Sequence, residues 1–267
     1  MKQIDGVSLS DVQTVYSGPE GDLWELIMGQ QIHIGGFQSS TDLAEQAGIP
    51  AGSAGVDLCC CNGAGMRFLL RFRNVARMTG VDATSKVLEQ ARQRCAAEGY
   101  GSRTTFVRAE VTDTGLPDGQ FDFVWGEDAW CYVADKPRLI AEAVRLVKPG
   151  GVVAFTDWIE GDAGLDDAEA ERWMRFMKFP SVESRAGYAA LLESQGCRVV
   201  AANDTRRFAP YVDLYLNMVG MQLTSDVLRL IAYDTAMLQA IAGEMQFMGE
   251  LARKGKIAQG LFVAKKA

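Results

Sequence analysis

The apolar residues of this chain fall into short blocks that switch between two rhythms. GVDLCC (55–60) is a compact apolar block and predicts a buried strand, and AGMRFLLRF (64–72) predicts the helix after it. VARMTGV (75–81) predicts a second strand ending at Asp82. Thr84 can then cap a helix whose apolar positions include Val87, Leu88 and Ala91. TTFVRA (104–109) and FDFVWG (121–126) predict strands three and four. Asp135 can cap a helix with Pro137 in its first turn, running through Leu139, Ile140, Ala143 and Leu146. KPGG (148–151) stops that helix, and VVAFTDW (152–158) predicts a fifth strand.

Strand and helix thus alternate five times, which implies a parallel sheet with helices on both faces. Ligands of such sheets bind beyond the carboxyl ends of the strands, and the polar residues between the blocks lie at those ends. Further on, 167–178 and 184–195 predict helices and CRVVAAN (197–203) a strand. Residues 206–256 look helical, with many methionines and aromatics, and GLFVAKK (260–266) predicts a closing strand. The expected architecture is an α/β, doubly wound, mostly parallel seven-stranded sheet in one domain, 1–267. Its parts are a segment 1–50 with short helical patterns covering the site, a core 51–205, a helical insertion 206–256 placed as a lid, and a closing strand 257–267.

Composition narrows the function. At 267 residues and 48% hydrophobic, the chain can bury a full core. A net charge of −7 argues against a phosphate backbone as partner, so no nucleic acid is expected. No apolar run reaches membrane-spanning length, and MKQIDGVSLSDVQ lacks the apolar stretch of a secretory signal. The six cysteines show no paired zinc spacing, and the neighbours Cys59, Cys60 and Cys61 would point to opposite sides of a strand. No metal is therefore expected, and the thiols read as reduced in the cytoplasm. There is no P-loop or HExxH pattern, and a Ser-His-Asp triad would have to recruit the only histidine, His33.

One ordered set of motifs points to specific chemistry. VDLCCCNGAGMRFL has an acidic residue, Asp57, before a turn containing Gly63. Asp82 ends the second strand. AEVTDTGLPDGQFD (109–122) and LVKPGGVVAFTD (146–157) follow in order. Over roughly residues 45–205 the chain resembles the class I S-adenosylmethionine-dependent methyltransferases, whose fold is Rossmann-like. The resemblance implies S-adenosylmethionine as cofactor, with the 57–63 turn against its methionine end at a helix N-terminus. It puts Asp82 on the ribose hydroxyls, Glu110 on the adenine amino group and the Val111 backbone on an adenine ring nitrogen. Ala83 and Glu127 complete the cofactor set. Read alone, Asp82 could equally be a helix-cap aspartate. Cys59 and Cys61 stand where the family usually has glycine, and a thiol is tolerable there if the backbone φ is negative.

MGQQIHIGGF (28–37), GEDAWCYVADKPRL (126–139) and FTDWIEG (155–161) resemble the sarcosine, dimethylglycine and phosphoethanolamine N-methyltransferases. Related C- and O-methyltransferases of natural products share similar phrases. This implies a small-molecule acceptor near Asp128, Tyr132 and His33, with Tyr132 where many relatives have histidine. His33 could be a base, a donor to a carboxylate, or a structural residue. Trp130, Tyr132, Trp158 and Tyr211 could surround a cationic acceptor or simply pack. Met218, Met221, Met245 and Met248 read as adaptable lid packing. Arg207, with Arg206, could bind an acceptor carboxylate or be a solvated pair. Three functions remain open: N-methylation of a small amine or amino acid, methylation of O, C or S in a natural product, and a degenerate fold that only binds. Only Cys59 and Cys61 favour the last. A monomer and a homodimer both fit.

Overall fold

A computed structural model describes residues 1–267. The chain opens with β1 (Lys2–Gln3), α1 (Leu9–Ser17), α2 (Pro19–Met28) and α3 (Gly36–Ala47). The alternating core is β2 (Ala54–Leu58), α4 (Ala64–Phe72), β3 (Arg77–Asp82), α5 (Ser85–Ala97), β4 (Thr104–Arg108), β5 (Phe121–Glu127), α6 (Lys136–Leu146) and β6 (Val147–Glu160). Next come α7 (Asp167–Met177), β7 (Ser181–Val182), α8 (Arg185–Ser194) and β8 (Cys197–Asp204). Three helices, α9 (Phe208–Met221), α10 (Thr224–Leu230) and α11 (Thr235–Arg253), precede the last strand, β9 (Ile257–Lys266).

Seven strands form one sheet in the order β4-β3-β2-β5-β6-β9-β8. The five strands from β4 to β6 pair in parallel, whereas β9 runs antiparallel to both its neighbours. The order reverses between β2 and β5, and that switch point fixes where a ligand can sit. Alternation along each strand explains the two covered faces. Val56, Leu58, Val124 and Phe155 pack with Leu139 and Ile140 of α6 and Leu192 of α8. Phe123, Trp125 and Met78 point the other way, onto Leu69 of α4 and Leu43 of α3. A third apolar cluster joins Leu23, Trp24 and Ile27 of α2 to Trp173 of α7 and to Val212, Met245 and Met248 of the inserted helices.

Two boundaries differ from the sequence expectation. β2 stops at Leu58, because Cys59 and Cys61 turn into the left-handed region at φ 64° and 45°. β6 starts five residues early, because Val147 pairs with Phe121 before KPGG loops out and Val152 resumes pairing with Phe123. The small antiparallel pair β1–β7, with Lys2 opposite Val182, ties the N-terminus to the segment after α7 and has no sequence signal of its own.

Candidate active site

A cavity of about 320 Å³ opens at the carboxyl ends of β2, β3 and β5. Its walls include Asp57, Cys59 and Cys61 at the end of β2 and just beyond, Asp82 and Ala83 at the end of β3 and just beyond, Glu110 and Val111 after β4, and Glu127, Asp128 and Tyr132 at the end of β5 and beyond. Val12 and Tyr16 of α1, with Ile32 and His33, close it from the N-terminal side.

The turn after β2 is held by Asp82. One of its oxygens accepts the Cys61 amide at 3.0 Å and the other the Thr84 amide at 2.8 Å. Burial pushes its pKa up, and these amides partly restrain the rise. Lone pairs remain on both oxygens for further donors such as hydroxyls. Gly63, at φ 76°, caps α4 and turns the chain into it without itself lining the cavity. The condition of negative φ is not met at either cysteine. Five residues, 59–63, carry the chain from Leu58 to α4, and a left-handed residue costs roughly 1–2 kcal/mol outside glycine.

Beside this turn lies a niche that only glycine permits. A Cβ on Gly65 would come within 2.8 Å of Glu127 Oε2, 3.0 Å of Trp125 Nε1 and 3.2 Å of Asp57 Oδ2. The Trp125 N–H is buried without a partner. Burial, then the Glu127 and Asp82 charges, push the Asp57 carboxyl well above its usual range. Six carboxylates line the cavity (Asp57, Asp82, Glu110, Glu127, Asp128 and Asp135), and Arg138 is the only Lys or Arg among its walls. An unpaired indole donor beside closely spaced carboxylates, in a space a methyl would fill, suits a cationic ligand with both ammonium and carboxylate groups.

At the other end His33 is 3% exposed. Its Nε2 lies 3.4 Å from Glu127 Oε1 and 3.3 Å from Ser40 Oγ, and Ser40 donates to Glu127 at 2.7 Å. His33 Nδ1 has no partner. With Nε2 as the donor toward Glu127, Nδ1 carries a free lone pair. Asp128 sits at φ 50°, and its carboxylate accepts the Ile34 amide at 2.8 Å. Burial raises its pKa, opposed chiefly by the nearby His33. The Tyr132 hydroxyl accepts one from Tyr16 at 2.9 Å. Burial holds both phenols well above their usual pKa.

The remaining expected acceptor residues lie elsewhere. Trp130 is fully buried, stacked on Phe155 at 4.0 Å, and donates to the Leu58 carbonyl. Trp158 packs between Phe179 and Phe208. Tyr211 joins the apolar cluster of the inserted helices, and Arg207 pairs with Asp42. No residue of 206–256 lines the cavity, so the insertion is not its lid. Those helices back the N-terminal segment instead, which provides the actual cover. Met245 and Met248 are buried there, whereas Met221 is exposed. Arg206 forms no ion pair.

Sequence reasoning missed Tyr16, Ser40, Gly65 and Gln13, whose amide donates to the Ala83 carbonyl at 2.9 Å. Gly65 lies inside the quoted turn motif and was legible there. Ser40 meets Glu127 across 87 positions of sequence, with no local signal.

Comparison with known proteins agrees with this geometry. Residues 56–155 match the family described as "Methyltransferase domain". The 27-O-demethylrifamycin SV methyltransferase of Amycolatopsis mediterranei is 27% identical over 202 residues, covering 70% of this chain and 74% of that protein. Among solved structures, a candidate sarcosine dimethylglycine methyltransferase from Galdieria sulphuraria superposes with a TM-score of 0.78 at 20% identity, over 87% of this chain and 86% of that one. The Haemonchus contortus phosphoethanolamine N-methyltransferase 2, solved with phosphomonomethylethanolamine and S-adenosylhomocysteine, gives 0.84 at 18% identity, over 95% of this chain and 58% of that one. Residues 56–155 carry a methyltransferase domain, in a fold shared with S-adenosylmethionine-dependent methyltransferases.

Proposed function

We propose that the protein transfers a methyl group from S-adenosylmethionine to the nitrogen of a small amine or amino acid. The observation that carries this reading is the acidic cavity: six carboxylates face one arginine, and its volume of about 320 Å³ is at the small end of ligand sites. With cofactor inside, the remaining space suits a small acceptor, and the charge suits an ammonium-bearing one.

The cofactor supplies an activated methyl on a sulfonium. Asp82 and Glu110 hold its ribose and adenine, and the Gly65 niche, with Asp57 and the Trp125 N–H, holds its amino-acid end. Asp128, Tyr132 and His33 align the acceptor nitrogen. Alignment alone is worth several kcal/mol, up to about 10. Asp57 and Glu127 stabilise positive charge, and α1 with residues 32–33 keeps water out. A neutral amine needs only a proton acceptor within reach, and a tertiary amine needs none. The test is product analysis with labelled cofactor and glycine, sarcosine and dimethylglycine as acceptors. A labelled N-methyl product supports the reading. Turnover confined to hydroxyl or carbon acceptors sinks it.

A second reading, O-methylation, is favoured by one feature, the free Nδ1 of His33 backed by Glu127. A hydroxyl acceptor needs such a base. Under this reading His33→Gln loses activity by a factor of about 100 or more, whereas a tertiary amine acceptor is insensitive to the loss of a base.

A further inference from the structure

Gln259 lies on β9, far in sequence from every motif, and is fully buried. It does not line the cavity, yet its amide closes a ring around two residues that matter there. Gln259 Nε2 donates to Asp128 Oδ2 at 2.8 Å and to the Ile34 carbonyl at 2.8 Å, and the Ile34 amide donates to Asp128 Oδ2 at 2.8 Å. The opposite side of the amide is fixed too. Because the Asp128 carboxylate and the Ile34 carbonyl can only accept, the NH₂ faces them, and Gln259 Oε1 accepts the Thr205 hydroxyl at 2.8 Å.

The ring spans three separate parts of the chain: the closing strand, the left-handed Asp128 after β5, and the segment carrying His33. Asp128 is held at φ 50°, a conformation that persists only where the surroundings over-determine it. Ile34 is pinned through both its amide and its carbonyl, so the adjacent His33 has little freedom. Gly35, at φ 87°, lies under the Arg207 stem, where an added Cβ would come within 2.8 Å of Cδ. Arg207 in turn pairs with Asp42.

We propose that Gln259 is a positioning residue for methyl transfer, acting through Asp128 and Ile34 to fix the His33 ring at the acceptor end of the cavity. The proposal rests on the functional reading above, and its test is independent of any acceptor. His33 is the only histidine of the chain, so its ring nitrogens give one unambiguous NMR signal set. The ring spectrum is recorded for wild type, Gln259→Met and Thr205→Val, with S-adenosylhomocysteine affinity measured alongside. Thr205→Val is the milder change, removing only the hydroxyl that donates to the amide, and carries the test should Gln259→Met fail to fold.

The expected result is a single sharp ring-nitrogen pattern in wild type, shifted or exchange-broadened in both variants, with cofactor-product affinity kept within about threefold of wild type. Two results overturn the proposal. One is a ring pattern in the variants that is unchanged from wild type. The other is a loss of S-adenosylhomocysteine affinity in step with the ring change, which would make Gln259 part of general folding. Failure of wild type to bind S-adenosylhomocysteine would count against the methyltransferase reading, while the ring comparison between the three proteins would still decide the role of Gln259.

Discussion

Cys59 and Cys61 occupy left-handed positions that glycine takes without strain, so each carries about 1–2 kcal/mol of conformational cost. Replacing either with glycine is expected to raise the melting temperature by roughly 2–4 °C per kcal/mol recovered, less the entropy that glycine returns to the unfolded chain. S-adenosylhomocysteine affinity should hold or improve, because Asp82 receives the Cys61 amide whatever the side chain. Calorimetric melting and titration of both variants check this. Gly65→Ala is expected to act in the opposite sense on binding. Its methyl would fall among Glu127, Trp125 and Asp57, filling the niche, and a loss of affinity of about tenfold or more follows from so close a contact. Wild-type affinity in that variant would show that the niche holds no part of the cofactor.

At the scale of elements, the loop after β5 is fastened from beneath by a buried polar joint. Asp157 on β6 accepts the Cys131 amide at 2.9 Å and the Tyr188 hydroxyl at 2.6 Å. Lys136, at the start of α6, donates to the Ser181 carbonyl at 2.9 Å and its hydroxyl at 2.7 Å. Burial pushes the Asp157 pKa up to about 6, against the pull of Lys136 and these donors. A carboxyl whose folded pKa exceeds its unfolded value of about 3.9 stabilises the fold fully below pH ~4 and loses that contribution as pH rises through ~6. Urea titrations are therefore expected to show stability declining from pH 4 to 6.5, by up to about 3 kcal/mol from this residue. Asp157→Asn should flatten that part of the profile, and an unaltered slope would remove Asp157 as its source. Glu142 works the other way. Its pKa is lowered to about 2, with hydrogen bonds from Arg145 and Thr114 outweighing burial, so its contribution is present above pH ~4.5 and lost as pH falls through about 2.

What was legible at this scale followed from locality. The strands and their helices announced themselves through apolar blocks and caps, as at Asp135, whose side chain accepts the Arg138 amide at 2.9 Å. Asp82, Glu110 and Glu127, singled out through the family resemblance, all reach the cavity because strand ends converge in this topology. The acceptor side was read less well. Trp158 and Tyr211 looked like site aromatics from composition, but side-chain direction is set by tertiary packing, and both turn into the cluster around the inserted helices. Gln259, Ser40 and Tyr16 were invisible because the contacts that bring them to the site, with Ile34, Glu127 and Tyr132, span 87 to 225 positions of sequence.

At the scale of the molecule, one sheet presents an acidic cavity at its switch point, covered by the N-terminal segment, which the three inserted helices support from behind. Binding of ligand to such a site should stabilise the whole fold. At a concentration 100 times its Kd, S-adenosylhomocysteine is expected to add about 2.7 kcal/mol, raising the melting temperature by roughly 5–10 °C. The most direct test of the cofactor assignment is calorimetric titration of the intact protein with S-adenosylhomocysteine, repeated on Asp82→Ala. The expected result is one site of micromolar affinity in wild type, abolished by the substitution while the fold persists. A folded wild-type protein that shows no binding, or an Asp82→Ala variant that binds as well as wild type, would contradict it.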